Sequence, residues 1–290
     1  MNVNIILTHY CNLRCKHCYM ADLLGNDDIQ SILNNIEVLK RILPTLNIDK
    51  VNYTGGECTT SQYLIEMLEW SIDNGLSTSI FTNGIELSDD IAQMCDCLYL
   101  SIDGISDIHN SIRGTKKAFD GILNAISISK KLSLPLHLQT TINKYNIAHL
   151  SQLIPIYESV RDCLKSITLE CVVNKGNAKK NSIVLDPEDL LTVRHFKQEI
   201  LEHFYYGITV RDNIYTIKQI EQFVINSDSY FPFWIDLNEG LCYVLSPTFS
   251  FSINELSDAK IEEMQTLVRK IIFESFINQR SSHLVVIDDF

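Results

Sequence analysis

The chain has 290 residues, which is long enough for one large α/β domain with a small appendage. Its composition, 46% hydrophobic and 21% charged, is that of an ordinary globular protein. Its net charge of −12 argues against a general binder of nucleic acid or of anionic membrane surfaces. No apolar run reaches the roughly 18 residues of a membrane span, no secretory signal is visible, and the odd count of nine cysteines favours a reducing cytoplasm over a disulfide framework.

Six short β-rich runs alternate with helical patterns in the first part of the chain. The predicted strands cover residues 3–8, 50–54, 77–82, 97–102, 135–142 and 166–171. The predicted helices cover residues 28–43, 61–73, a segment that starts near residue 88, 117–132 and 147–160. Repeats in this order indicate parallel strands with helices outside them and right-handed connections. The periodicity alone allows either a partial barrel or an open, doubly wound sheet.

The repeat pattern weakens after residue 171, so we expect a core at residues 1–182 and a C-terminal extension at residues 183–290. The extension begins with a helix that has Asp186 as its N-cap and Pro187 at its first position, and that ends near His203. Residues 229–252 are aromatic and β-rich, with a hairpin turn at residues 238–240. An amphipathic helix at residues 256–277 and an edge strand or tail over the last eight residues follow.

Three cysteines near the N-terminus, Cys11, Cys15 and Cys18, have a C-x3-C-x2-C spacing in the loop after the first strand. A loop this short can place three thiolates on one side of a metal centre, but not four. A [4Fe–4S] cluster normally takes four cysteine ligands, so three would leave one iron open to a small molecule. The alternatives are a zinc site, which usually has four ligands in paired C-x2-C spacings, or three incidental cysteines.

Other distinctive residues fall at the carboxyl ends of the predicted strands, where ligands gather in parallel α/β folds. After the second strand, Gly55 and Gly56 allow the backbone to approach a ligand closely, and the Glu57 carboxylate can accept hydrogen bonds from an ammonium group. The ends of the next three strands carry Asn83, Ser101, Asp103, Thr140, Thr141 and Asn143. One edge of the sheet therefore collects all these groups.

The spaced motifs from about residue 4 to about residue 178 resemble the radical S-adenosylmethionine (SAM) superfamily. The resemblance implies a partial (β/α)6 TIM-like barrel with parallel strands, followed by a small α+β C-terminal extension. It implies two cofactors, a [4Fe–4S] cluster held by the three cysteines and SAM bound at the open iron. The residues implied to contact SAM are Tyr19, Gly55, Gly56, Glu57, Asn83, Ser101, Arg113 and Thr140.

The run Ser101-Ile102-Asp103-Gly104, followed by His109 and Arg113, resembles the branch with a SPASM or twitch extension. That branch includes peptide-modifying enzymes and anaerobic sulfatase maturases. The resemblance implies that Ser101 and Arg113 hold the SAM carboxylate, which an arginine can bind bidentately. For His109, a structural role in the loop is at least as well supported as a catalytic one. After residue 178 the chain has only Cys242, so we expect no auxiliary cluster.

The resemblance implies reductive cleavage of SAM to a 5′-deoxyadenosyl radical, which abstracts a hydrogen atom from a substrate. The expected substrate is a ribosomally made peptide that is epimerised or cross-linked, with a flavodoxin or ferredoxin as reductant. Cys171 or Cys242 is the candidate donor of a hydrogen atom to the substrate radical. Two alternatives stay open: an enzyme that dehydrogenates or rearranges a sugar-like or nucleoside-like small molecule, and a non-catalytic Fe–S or zinc redox sensor.

Overall fold

The computed structural model describes residues 1–204, 207–216, 233–244, 250–277 and 285–287. The strands are β1 (Asn2–Ile6), β2 (Lys50–Thr54), β3 (Ser77–Thr82), β4 (Cys97–Ser101), β5 (Leu136–Ile142), β6 (Leu164–Cys171), β7 (Thr209–Asp212), β8 (Ile214–Thr216), β9 (Phe233–Asp236), β10 (Leu241–Val244), β11 (Ser250–Ser252) and β12 (Val285–Ile287). The α-helices are α1 (Ile29–Ile42), α2 (Leu64–Asp73), α3 (Asp89–Gln93), α4 (Ser106–Arg113), α5 (Ala118–Leu132), α6 (Ile154–Ser159), α7 (Gly176–Lys180), α8 (Asp189–His203) and α9 (Asp258–Ile277). Within these ranges, no helix has both the length and the hydropathy needed to cross a bilayer.

The six predicted strands of the β/α repeat are all present, whereas the helices depart from prediction in four places, one of which is the short, unpredicted helix α7. Helix α4 was not predicted, because two of its three buried residues, His109 and Arg113, are polar. The predicted helix at residues 147–160 starts as a 3-10 helix over Ile147–Leu153 before α6. The prediction of Asp186 as an N-cap is wrong, because its N–H donates to the Asp189 carboxylate (2.7 Å) and α8 begins only at Asp189.

The chain folds as two compact units. The first contains Met1–Cys11, Gly25–Ser79 and the described part of Tyr215–Phe290, and the second contains Asn12–Leu24 and Ile80–Ile214. Strand β3 is divided between the two units. The boundary at residue 182 was drawn from the sequence pattern and stays a prediction.

In the first unit the strand order is β11-β10-β9-β1-β2-β3. Strand β1 pairs in parallel with β2 on one side and with β9 on the other, while β9, β10 and β11 pair antiparallel. The predicted hairpin turn is confirmed between β9 and β10, where Gly240 has a φ of +62°. Strands β9, β10 and β11 of the extension therefore join the sheet beside β1. The rest of the aromatic run, residues 229–232 and 245–249, lies outside the described residues.

In the second unit the strand order is β3-β4-β5-β6-β7, and the pairs from β4 to β7 are parallel. Side chains of directly paired residues share a face of the sheet, and successive residues alternate between faces. The register groups one set, which we call the polar face: Tyr99, Ser101, His137, Gln139, Thr141, Thr168 and Glu170. The alternate residues form the apolar face, where the Thr140 hydroxyl contacts the Tyr157 hydroxyl of α6 (3.1 Å). The mixed α/β fold with a mostly parallel sheet is the predicted fold class.

Three stacked rings occupy part of the polar face. Phe81 stacks on Tyr99 with ring centroids 4.3 Å apart, and Tyr99 stacks on His137 at 4.6 Å. The His137 Nδ1 atom lies 2.7 Å from the Ser166 hydroxyl, which anchors the stack to β6. His137 and Ser166 lie near the start of their strands. At the carboxyl ends of β5 and β6, the polar face carries Thr141 and Glu170.

Candidate functional site

The Gly55-Gly56 turn after β2 packs against the backbone that leads into Cys11. Gly55 has a φ of +151°, and a Cβ atom on it would stand 2.4 Å from the Thr8 carbonyl oxygen. A Cβ atom on Gly56 would stand 2.3 Å from the Tyr10 carbonyl oxygen and 2.9 Å from the Cys11 Cβ. Only glycine fits at such distances. The glycine pair therefore fixes the path of the chain into the first cysteine.

The Glu57 side chain is buried and held by its own turn. Its N–H donates to the Tyr10 carbonyl (3.0 Å), and its Oε1 accepts from the N–H (3.3 Å) and hydroxyl (2.8 Å) of Thr59. This carboxylate begins the 3-10 turn Cys58–Thr60. A carboxylate fixed at the end of a strand is suited to accept further hydrogen bonds from a cationic ligand.

Two histidine and aspartate contacts that sequence reasoning missed hold the end of β1. The His9 Nε2 atom lies 2.8 Å from Oδ2 of Asp236, at the end of β9, and both residues are buried. The Asp27 carboxylate accepts from the Thr8 hydroxyl (2.5 Å) and from the His9 N–H (2.8 Å). Burial lowers the pKa of His9, but the hydrogen bond and charge of Asp236 outweigh it, so the pKa is raised.

The backbone around Cys15 and Cys18 is held by the first turn of α7. The Asn177 side-chain amide donates to the Cys15 carbonyl (2.9 Å), and the Asn177 N–H donates to the Cys18 carbonyl (2.9 Å). Gly176 has a φ of +53°, and a Cβ atom there would stand 2.4 Å from the Cys18 carbonyl oxygen. The Gly176-Asn177 pair after β6 therefore holds the backbone of the cysteine segment in place. The backbone of Tyr19 borders the same glycine, and the side chain of Tyr19 is half exposed.

None of the three cysteines is in a disulfide. Cys11 and Cys15 are buried, whereas Cys18 is partly exposed. Burial raises the pKa of the Cys15 thiol to about 11, against the opposing charge of Arg113. Burial also raises the pKa of Cys18. Within the described ranges, no group of three His, Cys, Asp or Glu side chains is arranged around a single metal ion.

Asp103 is the centre of a buried network in the second unit, and its side chain has no exposed surface. Its Oδ2 atom accepts from Arg113 Nε (2.6 Å) and lies 2.8 Å from His17 Nε2, while Oδ1 accepts from the Thr141 N–H (3.0 Å). Burial alone would raise the pKa of the Asp103 carboxyl. The charges of Arg113 and His17 outweigh burial and hold that pKa well below its usual range.

Helix α4 contributes two residues to this network, His109 and Arg113. The His109 Nδ1 atom accepts the N–H of Asp103 (3.0 Å), and burial followed by the Arg113 charge lowers the pKa of His109 to about 3. The imidazole of His109 is therefore a neutral member of this buried network, and its structural role stays a prediction. Arg113 is 8% exposed, and its Nη1 atom lies 3.9 Å from the Cys15 sulfur. Its pairing with Asp103 outweighs burial and raises the pKa of Arg113, so it stays charged.

Glu170 ends the polar face on β6, beside Thr141 of β5. Its side chain is exposed, and among the described residues the structure shows no hydrogen bond or ion pair to it. Loss of surrounding water, followed by the negative charge of Asp103, raises the pKa of the Glu170 carboxyl. Glu170 is therefore an exposed carboxylate at the end of this strand that can pair with a cationic or hydrogen-bond-donating group.

Other predicted site residues have structural partners. The side-chain Oδ1 of Asn83 accepts from the Ile85 N–H (3.0 Å) and its Nδ2 donates to Asn12 Oδ1 (2.8 Å), which fixes the turn after β3. Thr140 lies on the apolar face with its hydroxyl on Tyr157, while Ser101 lies on the polar face. The roles predicted for these residues in SAM binding stay predictions.

The two candidate hydrogen-atom donors are both buried. Cys171 pairs in register with Ile142, so it lies on the apolar face of β6, opposite to Glu170. Burial raises the pKa of Cys171 to about 12, so the thiol keeps its proton. Cys242 on β10 has no exposed surface and pairs with Ile235 and Phe251 in the extension. The structure brings Glu170, and not Cys171, to the polar face.

The family described as the Radical SAM superfamily matches residues 5–154, more than half of the chain. The chain is 25% identical over 164 residues to the Fe-coproporphyrin III synthase of Methanosarcina barkeri, covering 52% of this chain and 39% of that protein. It is 26% identical over 153 residues to the sporulation killing factor maturation protein SkfB of Bacillus subtilis, covering 51% and 37%. The chain thus spans less than half the length of these two curated relatives.

A solved structure of native anSMEcpe with bound AdoMet and the Kp18Cys peptide is similar to this chain. The TM-score is 0.70 at 18% identity, over 95% of this chain and 83% of that one. At this identity the likeness shows the fold, and it confirms the predicted fold class. Together with the relative SkfB, it agrees with the branch expected from the sequence.

Proposed function

Since the chain belongs to the radical SAM superfamily of enzymes, we propose that it abstracts a hydrogen atom from an organic substrate with the help of an iron–sulfur cluster and SAM. The observation that carries the proposal is the match over residues 5–154, which encloses the three cysteines and the motifs that end β2 and β4. When bound, the two cofactors supply the reductive cleavage of SAM to a 5′-deoxyadenosyl radical.

Cys11, Cys15 and Cys18 are the proposed ligands of a [4Fe–4S] cluster, which leaves the fourth iron for SAM. Their chemistry fits, because none of the three thiols is in a disulfide and the Arg113 cation lies beside Cys15, where its charge favours a thiolate. The two hydrogen bonds from Asn177 hold the carbonyls of Cys15 and Cys18, and so fix the backbone of two of the proposed ligands.

Glu57 is proposed to accept hydrogen bonds from the amino group of SAM, because its buried carboxylate is held by Thr59. Ser101 and Tyr19 are proposed to contact SAM from the polar face of β4 and from the end of the cysteine segment. Gly55 and Gly56 contribute indirectly, through the close approach that sets the position of Cys11. On β5, Thr141 is a better placed candidate than Thr140, because it lies on the polar face with Ser101.

A ribosomally made peptide is the proposed substrate, with epimerisation or cross-linking as the outcome. Support comes from the relative SkfB, a maturation protein of the sporulation killing factor, and from the similar fold that binds AdoMet and a peptide. Glu170 is proposed to meet the substrate, since it is the accessible carboxylate at the end of the polar face. A flavodoxin or ferredoxin is the proposed reductant, and the cytoplasm is the proposed location.

The experiment is anaerobic reconstitution with iron and sulfide, followed by dithionite and SAM, with 5′-deoxyadenosine measured by mass spectrometry. We expect 5′-deoxyadenosine from the wild-type protein and none from Cys15→Ala, while Cys163→Ala, which removes a buried thiol far along the chain, behaves as wild type. Equal yields from wild type and Cys15→Ala would contradict the proposal. A protein that takes up no cluster would favour the zinc or redox-sensor alternative.

A small organic molecule is the second candidate substrate, favoured by the relative named Fe-coproporphyrin III synthase. Deuterium transfer decides between the two classes. A peptide substrate predicts that 5′-deoxyadenosine gains deuterium from a peptide labelled at its α-carbons. A small-molecule substrate predicts that the label appears only when a deuterated tetrapyrrole, sugar or nucleoside is supplied instead.

A further inference from the structure

The Arg113 guanidinium already has partners for two of its three nitrogen atoms. Its Nε–H donates to Asp103 Oδ2 at 2.6 Å, and Nη1 lies 3.9 Å from the Cys15 sulfur. A carboxylate that bound the side of the guanidinium bidentately would need the Nε–H that Asp103 holds. The side chain is 9% exposed, so little of it is open to a ligand. Arg113 is thus oriented towards the cysteine segment.

Asp103 fixes that orientation from within the same network. The Oδ2 atom that pairs with Arg113 also lies 2.8 Å from the Nε2 of His17, and His17 sits between Cys15 and Cys18 in the chain. The other carboxylate oxygen accepts the N–H of Thr141 at 3.0 Å. Because both oxygens are engaged and no part of the side chain is exposed, Asp103 has one rotamer and one set of partners.

We infer that Arg113 faces the sulfur of Cys15 rather than the carboxylate of SAM, and that Asp103 is the positioning residue that holds it there. The inference rests on the proposed function, because it concerns the cluster held by Cys15. A cation beside a thiolate ligand favours the more negative, reduced state of a cluster and raises its reduction potential. A guanidinium devoted to the SAM carboxylate would change SAM affinity instead.

The two assignments separate in protein that contains the cluster but no SAM. We would measure the midpoint potential by redox titration followed by electron paramagnetic resonance, and SAM binding by calorimetry. Arg113→Gln is expected to lower the midpoint potential, and Arg113→Lys, which keeps the charge, to stay near wild type. In both variants the dissociation constant of SAM is expected to change by less than about threefold, because no bidentate bond to SAM is lost.

Asp103→Asn gives a test whose sign is diagnostic. If Asp103 acted only through its charge, losing an anion near the cluster would raise the midpoint potential. If it positions the guanidinium, the variant releases Arg113 from Cys15 and the midpoint potential falls. We expect the fall. The matched control is Asp212→Asn, which removes one carboxylate charge from the Lys197–Asp212 ion pair (2.7 Å) between α8 and β7 and should leave the potential unchanged.

Three results would overturn the inference. One is an unchanged potential in Arg113→Gln, and another is a raised potential in Asp103→Asn. The third is a loss of SAM affinity of about tenfold or more in Arg113→Lys, the cost of one charge-assisted bidentate contact. This last measurement applies even if Arg113→Gln assembles no cluster. Failure of the wild-type protein to assemble a cluster would instead overturn the proposed function, and the inference with it.

Discussion

Replacing Gly56 by alanine places a methyl group where the structure has no room for one. The Cβ atom would stand 2.3 Å from the Tyr10 carbonyl oxygen, so one of the two segments has to move by 0.7 Å to reach even a 3.0 Å contact. That movement strains the hydrogen bonds from Gly56 to Thr8 (2.8 Å) and from Glu57 to Tyr10 (3.0 Å). Overpacking costs about 1–3 kcal/mol and each weakened hydrogen bond about 1 kcal/mol. We therefore expect a total loss of about 3–5 kcal/mol.

The matched control is Gly75→Ala, because Gly75 has a φ of +71° and no atom within 4 Å of the added Cβ. It measures the cost of a left-handed backbone alone, about 1–2 kcal/mol. Urea unfolding of both variants and of the wild-type protein without cluster, at 25 °C, gives the two losses. A Gly56→Ala loss no larger than the Gly75→Ala loss would refute the claim that close packing against the cysteine segment requires glycine. Iron content after reconstitution should fall in Gly56→Ala and not in Gly75→Ala.

Three further predictions concern Thr140, Asp103 and Glu170. Thr140→Val, which removes the 3.1 Å contact with Tyr157, should lower the free energy of unfolding by about 1 kcal/mol and leave the calorimetric affinity for SAM unchanged. Because the pKa of Asp103 is held below its usual range, its ionised form stabilises the fold above about pH 4, and this contribution is lost as the pH falls. Asp103→Asn should therefore flatten the acid side of a plot of unfolding free energy against pH. Glu170→Gln should weaken binding of a cationic peptide substrate about tenfold or more, and binding of SAM not at all; equal binding of the peptide by both proteins would exclude Glu170 from the substrate site.

The sequence was informative about the strands because apolar and β-branched residues recur there with a clear period. Once the strands were predicted, the residues at their carboxyl ends could be identified, including Glu57 and Ser101. Helix α4 was not predicted because its buried side carries His109 and Arg113, and a search for periodic apolar residues leaves out such polar residues. The sequence does not show that the buried Arg113 pairs with Asp103, ten residues earlier in the chain.

The face of the sheet on which a residue lies was predictable only within a strand, where successive side chains alternate between the two faces. Glu170 and Cys171 are neighbours in the chain, yet the register of β6 with β5 places them on opposite faces. The alternation of Leu169, Glu170 and Cys171 contains that information, since a single charged residue between two apolar ones marks the more polar face. The contact of His9 with Asp236, across 227 positions, has no local signal.

The proposed cluster is tested most directly by an electron paramagnetic resonance spectrum of the reconstituted, dithionite-reduced protein, recorded without and with SAM. We predict a [4Fe–4S] signal that changes when SAM is added, because three cysteine ligands leave one iron for SAM, and no such signal from Cys15→Ala. A cluster signal that SAM leaves unchanged, or one that survives the loss of Cys15, would contradict the assignment of the cysteine segment.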